Sequence, residues 1–199
     1  MALGKQAKIL TNKQVEAVYQ YLGTTRNGLR NQVIFLLSVK AGLRAKEIAC
    51  LKWSMVTDAD GDIGMKIHLT DAASKGRGGR VIPMNRHLRE KMVELFEQEC
   101  RHRDFDLASS HVIRTERAPK TTSQAIINMF AQWYADIGLA GCSSHSGRRT
   151  FVTNAAKKIS SVGGSLRDVQ ALAGHSSLAV TQRYIEGDAA ARAKVVELV

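Results

Sequence analysis

The sequence predicts a mainly helical α+β domain carrying a small three-stranded antiparallel sheet. Three observations predict it. Apolar residues recur at helical spacing over residues 11–51 and again from Asn85 onward. The stretch between, 55–83, alternates instead and is broken by turn residues. The 199 residues, 44% hydrophobic and 24% charged, suffice for one domain with its own core.

Thr11-Asn12-Lys13-Gln14 has the spacing of a capping box, and Val15, Val18, Tyr19 and Leu22 follow on one helical face until Gly23. A second helix is expected from Asn27 to Lys40, with Val33, Ile34, Leu36 and Leu37 buried and Gly42 as its stop. A short third helix, Ala45 to Leu51, follows. Met55-Val56-Thr57, the turn Asp58–Asp62, and Met65 to Leu69 read as strand, turn, strand. Ser74–Arg80 is a glycine-rich basic turn, and Val81-Ile82-Pro83 is the third strand. Helices are then expected over Asn85–Glu99, Ser123–Ile137, Ser146–Lys158, Leu166–Leu172, Ala179–Tyr184 and Ala189–Leu198. Glu99–Thr122 reads as loop with one short strand around His111–Ile113.

Composition narrows the function. The chain holds 29 Lys+Arg against 18 Asp+Glu, a formal net charge of +11. That excess, in a chain that reads as soluble, points first to a nucleic acid, with a merely basic, ribosome-like protein as the bland alternative. The longest apolar run, Val33–Leu37, is far too short to span a bilayer, so no membrane partner is expected. The opening MALGKQAKIL carries no apolar signal core, and Cys50, Cys100 and Cys142 are odd in number with no CxxC pair. A reducing, cytoplasmic setting is therefore expected. The charge is uneven: residues 1–55 carry a balance of +7, 56–112 a balance of −1, and 113–199 a balance of +5. One polyanion-binding surface would draw on both ends of the chain.

Five local patterns in four stretches carry chemistry, the last stretch holding two of them. In AGLRAKEI (41–48), Arg44 sits between two helices with Glu47 three residues on, where a carboxylate can hold the guanidinium or merely form a surface pair. In SKGRGGRVIP (74–83), Lys75 occupies a hairpin tip beside Arg77 and Arg80, with no match to a Walker-type phosphate loop. In HSGRRTF (145–151), His145 and Arg148 lie three apart at a helix start, where both can face one anion, followed by Arg149. In LAGHSSLAVTQRYI (172–185), Gly174 ends a helix before His175, and Arg183 and Tyr184 close the next one. Each pattern alone has an ordinary structural reading: a surface pair, a flexible hairpin, a capped helix, a junction histidine, a packed tyrosine.

Taken in order, these stretches resemble the catalytic domain of the tyrosine recombinase, or phage integrase, family, from about Thr11 to Glu186. The resemblance implies that family's catalytic-domain fold. It implies a site-specific recombinase that cleaves and rejoins DNA strands through a covalent 3′-phosphotyrosine link, with no cofactor, metal or ATP. Tyr184 would be the nucleophile, Arg44 and Arg148 the clamp on the non-bridging oxygens, and Lys75 the general acid. His145 would handle the tyrosine proton, His175 would donate to the phosphate, and Glu47 would position Arg44 or the neighbouring lysine turn. Arg77, Arg80, Arg149 and Arg183 are expected to contact DNA. The partner would be double-stranded DNA with a specific site, the chain monomeric alone and tetrameric on DNA. Family members carry a separate DNA-clamping domain ahead of the catalytic one, and here about ten residues precede the first helix. The chain thus reads as one catalytic domain, 1–199, with a core over 11–186 and a tail helix over 187–199. Gly147 stands where many family members carry a bulky apolar residue.

The chemistry is sound on its own terms. Attack on a phosphodiester builds charge on the equatorial oxygens, and two arginines can meet it with forked, charge-assisted bonds. A tyrosine of ordinary pKa near 10 needs a base or a dense positive field to attack at neutral pH. Three alternatives stand beside this reading: a DNA-binding remnant or regulator without strand transfer, a type IB topoisomerase, and a histidine-based metal hydrolase. The last lacks ligand clustering, since His68, His87, His102 and His111 fall in unrelated segments.

Overall fold

The first helix, α1 (Asn12–Gly23), begins at the predicted cap. Thr11 Oγ1 accepts from the Gln14 amide, and the Gln14 side chain accepts from the Thr11 amide. The structure, a computed structural model, describes residues 7–74, 79–184 and 196. The second helix, α2 (Gly28–Val39), is apolar on nearly every side, and Val33 through Val39 are all buried. A helix hydrophobic all round belongs in the middle of a core. α2 accordingly packs against α1 and, as they arrive along the chain, α3 (Ala45–Cys50), α4 (Arg86–Glu99) and α6 (Ser146–Lys158). Each fully buried Leu, Ile or Phe on it contributes about 1.5–3 kcal/mol. Gly42, at φ +67°, ends the run: its amide bonds Ser38 O, and the Leu43 amide bonds Leu37 O.

The sheet is smaller than expected. Among the described residues it has two antiparallel strands, β1 (Lys66–Leu69) and β2 (Arg80–Pro83), paired Ile67 with Ile82 and Leu69 with Arg80. Ile67, Leu69 and Ile82 face the core while Lys66 and His68 face out, the period-2 pattern of a half-buried ribbon. The first of the three expected strands, Met55-Val56-Thr57, is instead a 3₁₀ turn over Trp53–Met55 followed by one isolated bridge between Thr57 and Ile63. Trp53 O captures both the Thr57 amide and its hydroxyl, and the Asp58 carboxylate accepts the amides of Asp60 and Asp62. Local bonds thus close the chain before a ladder can extend. The short strand expected around His111–Ile113 is likewise a single bridge, Lys52 with His111.

α5 (Ser123–Asp136), capped by Thr122, seals the far side of α3 with Ile126, Phe130, Trp133 and Tyr134. A second, smaller core joins α6 to α7 (Leu166–Ala173) through Val152, Ala156, Val169 and Ala173. Tyr184 packs on its edge. The chain then runs through α8 (Leu178–Gln182), shorter than expected, so that Tyr184 lies just past the helix in a turn its amide closes on Thr181 O at 3.1 Å. The hairpin turn with Lys75 and Arg77, and the tail helix expected over 187–199 apart from exposed Val196, lie outside the described residues. No helix among the described residues is long and apolar enough to cross a membrane.

Candidate functional site

The site is assembled where three helix boundaries meet. Arg44 is the last residue before α3. Its amide donates to Glu47 Oε2 at 2.8 Å, and its Nη1 donates to Glu47 Oε1 at 2.8 Å. Its Nη2 reaches the Gly174 carbonyl at 3.4 Å, across 130 residues of sequence. Glu47 is 1% exposed and serves a second cation as well: Arg80 bonds it in a fork, Nη1 to Oε1 at 2.9 Å and Nη2 to Oε2 at 3.0 Å. Burial by itself drives the Glu47 carboxyl up. The hydrogen bonds and charges of Arg80 and Arg44 outweigh that and hold it below its ordinary value.

Arg80 corrects an expectation. Its side chain is 7% exposed, and its Nε is spent on Leu172 O at 2.9 Å. It is an internal tie between β2, α3 and the end of α7, not an open DNA contact. The local sequence carries no trace of this, because the partner carboxylate lies 33 residues away.

Arg148 projects from the first turn of α6 and is buried. Its Nη1 donates to Gly42 O and its Nη2 to Ala173 O, both at 2.6 Å. Two of its five donors are thereby fixed, which leaves a rigid guanidinium with three more. Burial, then the neighbouring charge of Arg44, lowers its pKa to about 10, so it remains a cation at neutral pH. Gly42 and Gly174 matter to this arrangement. Both sit at positive φ, and a Cβ on Gly42 would strike the Phe151 ring while one on Gly174 would lie 2.8 Å from Arg80 Nη1. Only glycine lets these two carbonyls come up to the arginines.

His175 follows the Gly174 cap. Its Nδ1 lies 3.0 Å from Thr181 Oγ1, and its ring stacks on Tyr184 with centroids 5.5 Å apart and planes 18° from parallel. Burial, with Arg148, Arg44 and Arg80 adding repulsion, pushes its pKa down to about 4. It is therefore a neutral imidazole among cations at physiological pH. Tyr184 lines a cleft of about 420 Å³ together with His145, Arg148, Arg149, Arg183 and Ser143. His145 precedes the first turn of α6 without a side-chain cap bond and is exposed, and its amide donates to Ser143 Oγ at 3.3 Å. Arg149 is half-buried, with one Nη given to Ala7 O, while Arg183 is exposed. Lys75 and Arg77 lie outside the described residues, and the residues flanking that segment are held on both sides. Lys46 Nζ donates to Ser74 O at 3.0 Å, and the Gly79 amide donates to Asp71 Oδ1 at 2.7 Å.

The cleft is thus lined by Arg148, Arg149, Arg183, His145 and Tyr184, with the neutral His175 stacked on Tyr184 and Arg44 close enough for its charge to act on both His175 and Arg148. It suits an oxyanion that gains charge during a reaction. No grouping of three or more His, Cys, Asp or Glu among the described residues is fit to hold a metal ion. Sequence reasoning missed Thr181, Lys46 and the internal role of Arg80, because each acts through a contact between segments far apart or otherwise unremarkable.

Comparison with known proteins gives the family and the fold. The model of the phage integrase family matches residues 8–190. The chain is 31% identical over 180 residues to tyrosine recombinase XerA of Thermococcus onnurineus, covering 89% of this chain and 57% of that protein. It is 30% identical over 176 residues to tyrosine recombinase XerC of Pediococcus pentosaceus, covering 87% and 54%. Among solved structures it superposes on XerA recombinase with a TM-score of 0.74 at 21% identity, covering 95% of this chain and 64% of that one. It superposes on XerH recombinase bound to palindromic difH substrate, a post-cleavage complex, with a TM-score of 0.75 at 18% identity, covering 98% and 53%. The chain spans little more than half the length of the curated relatives it matches.

Proposed function

The chain belongs to the phage integrase family and has the tyrosine recombinase catalytic-domain fold, and we propose that it is a DNA strand transferase acting through Tyr184. The Tyr184 oxygen attacks the scissile phosphorus, a phosphotyrosine bond forms to the 3′ side, and the bond to the 5′ oxygen breaks. His145 accepts the tyrosine proton, and Lys75 supplies one to the departing 5′ oxygen. Arg44 and Arg148 hold the non-bridging oxygens, and His175 donates a hydrogen bond to them. Attack by a 5′ hydroxyl of a second strand reverses each transfer and rejoins the backbone without ATP. Lys75 enters on the resemblance alone. Duplex DNA as substrate is supported by the DNA-bound relative of like fold and by the basic balance of both chain ends. A tetramer on DNA is the assembly this reading implies.

The observation that carries the proposal is the stacking of His175 on Tyr184 in a site that also holds Arg44 and Arg148. Electrostatic stabilisation of this kind contributes about 3–4 kcal/mol per well-placed donor. The test begins with selection of a bound duplex from a random pool. A nicked version of that duplex should then trap a covalent protein–DNA adduct with the wild-type chain and none with Tyr184→Phe. Duplex binding with no adduct from either protein would assign the chain to a DNA-binding remnant. An adduct that survives Tyr184→Phe would reject Tyr184 as nucleophile.

A further inference from the structure

Thr181 has no place in the chemistry above, yet it is completely buried and its hydroxyl lies 3.0 Å from His175 Nδ1. A hydroxyl hydrogen in such a place needs an acceptor, since leaving it unpaired costs about 1–3 kcal/mol. Among the described residues Thr181 Oγ1 has no other hydrogen-bond partner, and the charged groups nearest the ring, Arg148, Arg44 and Arg80, have no acceptor to offer. The Nδ1 lone pair is the acceptor in reach. If Nδ1 instead carried the proton, it would donate to Oγ1 and orphan the hydroxyl hydrogen.

We propose that Thr181 is a positioning residue for His175: its hydroxyl donates to Nδ1 and fixes the neutral imidazole with its proton on Nε2. Nε2 has no partner among the described residues and lies on a ring stacked against Tyr184. The device turns a neutral histidine into a one-way donor. The opposite tautomer would meet an anionic phosphate with a lone pair and repel it. The benefit to catalysis rests on the strand-transfer reading, whereas the tautomer itself belongs to the free protein.

The two layers are tested separately. Nitrogen-15 NMR of the free wild-type chain, with His175 assigned by His175→Asn, should show the Nε2–H tautomer at neutral pH. Thr181→Val, which keeps the shape and loses the hydroxyl, should shift His175 toward a mixture, and Thr181→Ser should restore the wild-type pattern. On the nicked duplex, Thr181→Val should slow adduct formation about tenfold, the worth of one hydrogen bond, with duplex affinity unchanged and with rescue by Thr181→Ser. An Nδ1–H tautomer in the wild type, or a tautomer unmoved by Thr181→Val, overturns the proposal. So does a rate equal to wild type in Thr181→Val. Should no variant form adduct, the strand-transfer reading fails while the NMR result still decides the tautomer.

Discussion

Glu47 and His175 show how single side chains set the behaviour of the site. Both are titratable, both are withdrawn from water, and both have lowered pKa values, for opposite reasons. For Glu47 the partners win over burial; for His175 burial and the surrounding cations act together. The consequence for stability has one sign. A folded-state pKa below the unfolded one means the unfolded chain binds more protons as pH falls, so stability is lost on acidification. For His175 that window runs from its ordinary 6.5 down to about 4, and for Glu47 it lies below the ordinary 4.5. The melting temperature should therefore be level near neutrality and decline below about pH 6.5, where unfolded histidines take up protons. His175→Asn should flatten part of the upper decline, the remainder belonging to His111, also lowered by burial. The fall below pH 4.5 should persist in that variant. Thermal melts across this range check the expectation, and an unchanged upper slope in His175→Asn would show that the ring is not held neutral by the fold.

The crossing of α6 over α2 is where element-level packing decides which residue is allowed. Gly147 sits at that crossing, and a Cβ there would lie 2.5 Å from Ser38 Oγ and 3.0 Å from Ser38 Cβ. This close approach brings Arg148, the next residue, up to Gly42 O at the end of α2. A bulkier residue at this position would need a smaller neighbour or a wider crossing. Gly147→Ala should lower stability by about 1–3 kcal/mol, the usual range for overpacking, and Ser38→Gly on that background should recover most of the loss. Chemical denaturation of the two variants measures both; additive losses would rule out this contact as the cause. Elements governed by local signals were legible in the sequence: the Thr11–Gln14 capping box, the apolar α2 and the Gly174 stop are all present. The first expected strand was not, because Met55-Val56-Thr57 reads as strand while its amides bond back to Lys52 and Trp53 and its single bridge goes to Ile63. Alternation over three residues cannot report which partner captures the amides.

Across the whole molecule, the net charge of +11 divides into cations that face solvent and cations that hold the site together. The sequence cannot make this division. Arg80 and Arg183 look alike in it, yet one is clamped on Glu47 and the other is exposed on the cleft. Residues brought together from 44, 148, 175 and 184 were legible only as ordered motifs, and the fold supplies their convergence. The division has a measurable consequence if DNA is the partner. Each phosphate neutralised by an exposed cation releases a counterion and adds roughly 0.9 to the slope of log affinity against log salt. Arg183→Ala should therefore weaken duplex binding and reduce that slope by about 1, with adduct formation at saturating DNA retained. Arg148→Lys should do the reverse. It keeps the charge, so slope and affinity should change little, but it loses the fork that a phosphate oxygen pair needs. Adduct formation at saturating DNA should fall about 10²–10³-fold, the loss seen when one oxyanion donor is removed. Salt titrations and single-turnover cleavage on the same duplex separate the two effects. Equal losses of affinity and rate in Arg148→Lys would move this arginine from the chemistry to the binding surface, and an unchanged salt slope in Arg183→Ala would remove that residue from the DNA path.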